Sequence, residues 1–278
     1  MNAAAASTQS KCAGSRATLP THLRIQRMLG RLVFPLLYIV LASAMRFVMG
    51  YRIDPEDLRR VRREFRELGQ SRDPVLVCAN HLTMIDSVIM LWAFAGPFAY
   101  TRRFARLCWN VPAVENFAHS FWQRAVTYLA KCLPIDRQGD REHIEGIFDQ
   151  LRDLLSTGEY VMLFPEGARS RTGRFRADEI TYGAGRLVQA VPNCRVFCVY
   201  LRGLKQARHS DLPARGERFH ISTQTLSASA LRTELAGLRG AREISRGIAR
   251  EIAALEAEFF SRNATADVAS DSAESVAA

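Results

Sequence analysis

Pro74 to Asp86 reads PVLVCANHLTMID: a short apolar run, an asparagine, a histidine, and an aspartate five positions after that histidine. The run Pro74 to Ala79 has the length and composition of a strand, and the polar residues begin where it ends. Similar runs recur at 98–101, 133–135, 160–164, 195–201 and 218–222. Helical stretches separate them. The clearest covers 140–156, where Ile144, Ile147, Phe148, Leu151, Leu154 and Leu155 share one face. Such alternation predicts an α/β domain, a mostly parallel sheet flanked by helices, with ligands gathering at the carboxyl ends of its strands.

Three polar clusters sit at such ends. Asn80 to Asp86 follows the first run, Asp136-Arg137 follows Leu133 to Ile135, and Pro165 to Ser170 (PEGARS) follows Tyr160 to Phe164. A single histidine is more often a surface or core residue than a catalyst. Three charged clusters at strand ends of one sheet can instead converge on one crevice. The chain has no GxxxxGK[ST] nucleotide loop and no GxSxG nucleophile elbow. His81 and Asp86 lack the further neighbouring ligands a metal ion needs.

Outside this domain the chain divides as follows. Residues 1–17 are small and polar and read as a disordered tail, as do 263–278. Residues 18–70 read as a membrane-associated helical segment, and 71–262 as the α/β domain, closing with a helix over about 241–262. Leu32 to Met49 is apolar except for Arg46, and Arg24, Arg27 and Arg31 precede it. A spanning helix needs roughly 20 apolar residues. The segment therefore reads either as a core helix or late signal anchor, or as a helix inserted beside an anionic leaflet with its basic side cytoplasmic. Asp54-Pro55-Glu56-Asp57 is a helix start, with an N-cap, a proline at the first helical position and acids in the first turn. The basic, amphipathic helix Pro55 to Leu68 has two readings, an interfacial membrane helix or a surface helix packed on the domain.

The net charge is +10, carried almost wholly by arginine, the only lysines being Lys11, Lys131 and Lys205. That balance points to an anionic partner. The arginines are not interleaved with aromatics on a nucleic-acid module, and many flank the apolar N-terminal segment, which argues against nucleic acid. The six cysteines form no CxxC pair and lie mostly in apolar runs, as reduced buried thiols would.

Taken together and in this order, NHLTMID, PIDR and FPEGARSR resemble the motifs of glycerolipid acyltransferases of the lysophosphatidic acid acyltransferase (1-acyl-sn-glycerol-3-phosphate acyltransferase, PlsC-like) type. The resemblance covers about residues 70–205. It implies that His81 is the general base that takes the proton of an acceptor hydroxyl, and that Asp86 orients the imidazole and stabilises its cation. It also implies that Arg137, Glu166, Gly167 and Arg169 bind the acceptor, Glu166 by orienting Arg169 or a glycerol hydroxyl. A mutual Glu166–Arg169 ion pair is the plainer alternative. The implied donor is acyl-CoA or acyl carrier protein as co-substrate, with no resident cofactor. The implied acceptor is a lysophospholipid, and the implied place is the cytoplasmic side of the inner (cell) membrane, monotopic or single-span, in contact with anionic lipid. Two departures stand out: Ala168 replaces a threonine of the third motif, and Arg195 and Cys198 stand where the fourth motif has prolines. They leave open a different acceptor, such as an amino-acid lipid, a glycolipid or a specialised metabolite. A non-catalytic membrane-binding protein is the remaining reading.

Overall fold

A computed structural model of the chain describes residues 19–71, 73–117, 120–136 and 138–276. The tail 1–17 and Arg137 lie outside the described residues. Six strands form one curled, mixed sheet: β1 (Arg52–Ile53), β2 (Val75–Ala79), β3 (Trp109–Asn110), β4 (Tyr160–Leu163), β5 (Arg195–Gly203) and β6 (Arg218–Ser227), in the order β1-β6-β5-β2-β4-β3. All neighbouring pairs are parallel except β5 and β6.

β2 lies between β4 and β5 and is buried at every residue. Its side chains alternate between two cores. Leu76 and Cys78 point to the layer of α7 (Arg141–Ser156), α8 (Gly183–Ala190) and α9 (Gly237–Val276). Val75, Val77 and Ala79 point to the layer of α2 (Pro55–Leu68), α3 (Asp86–Phe94) and α4 (Pro97–Arg102). Both faces are covered, which is why the run is continuously apolar rather than alternating.

The helix starts follow from local chemistry. Asp54 caps α2 by accepting from the Glu56 and Asp57 amides, and Asp140 caps α7 by accepting from His143. Of the two readings of the 55–68 helix, the structure takes the packed one. Val61, Phe65 and Leu68 are buried, and Asp57 is tied to His220 at 2.7 Å and to the Ile221 amide at 3.1 Å. Residues 98–101, expected as a strand, form α4 instead, because Gly96-Pro97 starts a helix with proline in its first turn. Residues 133–135 form no named strand: Ile135 makes an isolated bridge with Ala113, and Cys132 just before the run makes one with Asn110. α9 is helical from Gly237 to Val276, beyond the expected end near 262.

The N-terminal helix α1 (Thr21–Ser43) continues as a π-helical turn through Val48 and is long and apolar enough to cross a membrane. It is nevertheless fastened to the domain along one face by Leu23, Gln26, Gly30, Phe34 and Tyr38. Gln26 Nε2 donates to the carbonyls of Tyr128 and Cys132 at 3.0 and 2.9 Å, beside the C-terminal end of α6 (Phe121–Leu129). A Cβ on Gly30 would stand 2.8 Å from the Leu129 carbonyl oxygen, so glycine is what permits this close crossing. The opposite face of α1, including Leu29, Leu32, Leu36 and Ile39, is exposed.

Candidate active site

The sheet register decides which loops meet. Cys78 on β2 is level with Leu163 on β4, so both strands end side by side and release Asn80-His81 and Phe164 to Ser170 into the same space. Asn80 then extends the sheet with its side chain. Its Nδ2 donates to the Leu201 carbonyl at 2.9 Å, and its Oδ1 accepts from the Leu201 amide at 2.8 Å. The turn that follows is thereby anchored on β5.

Asp86 is the first residue of α3, and its carboxylate folds back over that turn. Oδ2 accepts from the amides of Leu82 and Thr83 at 2.6 and 2.8 Å and from His81 Nδ1 at 3.0 Å. Oδ1 accepts from the Thr83 hydroxyl at 2.5 Å. With four donors on a buried carboxylate, the imidazole must present Nδ1–H to Asp86, and Nε2 is the nitrogen left to receive a proton. The ring itself stacks on Phe164, centroids 4.1 Å apart, and keeps partial exposure. The histidine–aspartate pair expected from the sequence is therefore assembled.

Glu166 does not meet Arg169, and so neither pairs with it nor orients it. Its Oε2 accepts the backbone amide of His81 at 2.9 Å, and Oε1 accepts the amide of Arg176 at 3.4 Å. It is buried, and desolvation pushes its pKa up from 4.5 to about 7, against the lowering effect of those amides. The His81 carbonyl takes the Ser170 amide at 2.9 Å. The FPEGARS loop thus grips the backbone of His81 from both sides.

Gly167 has φ +66° and closes a turn through its amide to the Phe164 carbonyl. A Cβ there would lie 2.7 Å from Thr181 Cγ2. Arg169 Nη1 bonds Asp211 at 2.6 Å and the Ser210 carbonyl at 3.1 Å. Arg137 lies outside the described residues. Its neighbour Asp136 is exposed and accepts the Gln138 amide.

The connection between β5 and β6 contributes what the sequence reading missed. Ser210 donates its amide to the Leu82 carbonyl, and Met84 donates to the Asp211 carbonyl, both at 3.2 Å, so this segment lies across the histidine turn. Polar residues 204–217 carry no periodicity that would have marked them. Thr83, three residues before Asp86, had the spacing of a local side-chain bond. Among the described residues, no cluster of His, Cys, Asp and Glu could hold a metal ion.

An imidazole with one nitrogen fixed by a carboxylate and the other without a hydrogen-bond partner among the described residues can act as a general base on a hydroxyl. Residues 55–202, just over half the chain and including every residue of this site up to Arg176, match the family model described as acyltransferase, and the chain belongs to the acyltransferase family.

Proposed function

We propose that this acyltransferase works on membranes as an O-acyltransferase. It moves a fatty acyl group from acyl-CoA or acyl carrier protein to the hydroxyl of a lysophospholipid, foremost 1-acylglycerol-3-phosphate, giving phosphatidic acid. The carrying observation is the His81–Asp86 pair at the carboxyl end of β2, with Nε2 unengaged among the described residues. His81 Nε2 takes the hydroxyl proton as the oxygen attacks the thioester carbonyl. Asp86 stabilises the imidazolium formed. As the tetrahedral intermediate collapses, the C–S bond breaks and the imidazolium returns the proton to the departing thiolate. A positioned base of this kind contributes roughly 10²–10⁴-fold. Glu166 and Ser170 keep the histidine backbone where the acceptor arrives. Arg169, with Arg137, supplies guanidinium donors for the acceptor's phosphate, Asp211 holding Arg169 in place.

The exposed apolar residues of α1, together with exposed Phe98 on α4 and Phe121 and Trp122 on α6, support seating in one leaflet, for which the cytoplasmic one is proposed. The altered motif positions favour a second acceptor reading. Arg195 uses its amide to bond the Pro74 carbonyl at 2.8 Å, a bond proline lacks, and Ala168 offers no hydroxyl. An acceptor panel with both donors, in lipid or detergent, tests the proposal. Transfer to lysophosphatidate above lysophosphatidylcholine and above amino-acid lipids is the expected result. Transfer only to a phosphate-free acceptor would overturn the substrate assignment.

A further inference from the structure

His81 and Asp86 occupy one end of the parallel sheet. At the other, where the chain enters β2 and β4, a cavity of about 280 Å³ opens beside α1. Five arginines line it, Arg27, Arg31, Arg102, Arg103 and Arg106, against one aspartate, Asp73. Arg27 is neutralised by Glu159 at 2.8 Å, but Glu159 already serves the buried Lys131 at 2.5 Å and the Trp109 indole at 2.9 Å. Among the described residues, Arg31, Arg102, Arg103 and Arg106 have no carboxylate within ion-pair distance.

The backbone is shaped to keep this charge together. Arg103 and Arg106 both donate to the Gly69 carbonyl, at 2.7 and 2.6 Å. A Cβ on Gly69 would stand 2.0 Å from the Arg106 guanidinium, which therefore occupies the space a side chain would fill. Burial and the neighbouring Arg103 pull the Arg106 pKa down, partly offset by Tyr160. Concentrating like charges around a cavity is unfavourable unless an anion completes it, and planar guanidinium donors suit a phosphate ester. The volume, near the roughly 300 Å³ lower end of small-molecule pockets, suits a headgroup rather than an acyl chain.

We propose that this cavity is a second, non-catalytic anion site that takes the phosphate of an anionic membrane lipid. The source is argued from α1. Arg27 and Arg31 project from the same helix whose exposed residues Met28, Leu29 and Leu32 are apolar, so a lipid whose phosphate enters the cavity can lay its chains along that face. The site would recognise the composition of the leaflet at a distance from the chemistry. It rests on the membrane reading above and is independent of the acceptor.

The test uses the full chain with phosphatidylcholine vesicles, with and without phosphatidylglycerol. Arg31→Gln/Arg102→Gln is compared with Arg232→Gln/Arg239→Gln, an equal loss of charge elsewhere. Neither the Arg31 nor the Arg102 side chain makes a hydrogen bond or ion pair among the described residues, so the first variant should keep the wild-type circular dichroism and melting temperature. The expected result is a roughly tenfold loss of binding to the anionic vesicles for the cavity variant, with the control changed by less than about twofold. Equal losses in both variants would overturn the site by reducing it to general surface charge. Binding to neither vesicle type would overturn it together with the membrane reading. Unchanged vesicle binding, with glycerol 3-phosphate raising the melting temperature of wild type but not of the cavity variant, would reassign the site to soluble phosphate esters.

Discussion

Glu166→Gln isolates the most unusual electrostatic feature of the site. Glu166 is buried with its pKa raised to about 7 by desolvation, so it binds a proton more tightly in the folded chain than in the unfolded one. The sign follows from linkage. Between the unfolded value of 4.5 and about 7 the folded state holds the extra proton, so stability falls as pH rises through that window. Above it the full cost remains, about 3 kcal/mol at roughly 1.4 kcal/mol per pH unit. Glutamine has no such ionisation and still offers a carbonyl to the His81 amide. Its NH₂ then faces the Arg176 amide and costs about 1 kcal/mol. Near pH 5 the variant should therefore be equal to wild type or slightly weaker. By pH 8 it should be about 2 kcal/mol more stable. Urea unfolding followed by the fluorescence of the fully buried Trp109, at four pH values in matched detergent, reads this difference, because all other titrations cancel between the two proteins. A midpoint difference that stays constant from pH 5 to pH 8 would refute the assignment of a desolvated, titrating Glu166.

Two further outcomes follow from the same contacts. Asp86→Asn presents an NH₂ to a cluster of four donors and leaves Nδ1 without its carboxylate; kcat for acyl transfer should fall roughly 10²–10⁴-fold with KM little changed, measured by thiol release from acyl-CoA. Gly167→Ala imposes a left-handed residue and a Cβ contact with Thr181; it should cost about 1–2 kcal/mol in thermal unfolding, and adding Thr181→Ser should restore the steric part.

What the sequence disclosed and what it withheld divide by the range of the interaction. The α2 start was readable because its cap acts over three residues, and α7 because its apolar residues recur at helical spacing. The contact between His81 and Asp86 was readable because both lie on one turn and carry a recognisable spacing. The role of Glu166 was not, since it depends on β4 lying beside β2 in a register that places Glu166 against an amide 85 residues away. Arg169 was expected to face Glu166 and instead meets Asp211, on a loop whose composition signals nothing. The 98–101 run misled because its aromatic residues suit a strand, while the preceding Gly-Pro sets the backbone for a helix. Gly69 follows the last residue of α2, and its making room for Arg106 needs the fold.

His81 is the proposed base. The most direct test is kcat/KM for acyl transfer to lysophosphatidate by wild type and His81→Ala, with folding checked by circular dichroism. A loss of roughly 10²–10⁴-fold in the variant is the predicted result. Undiminished turnover with the pair removed would contradict it.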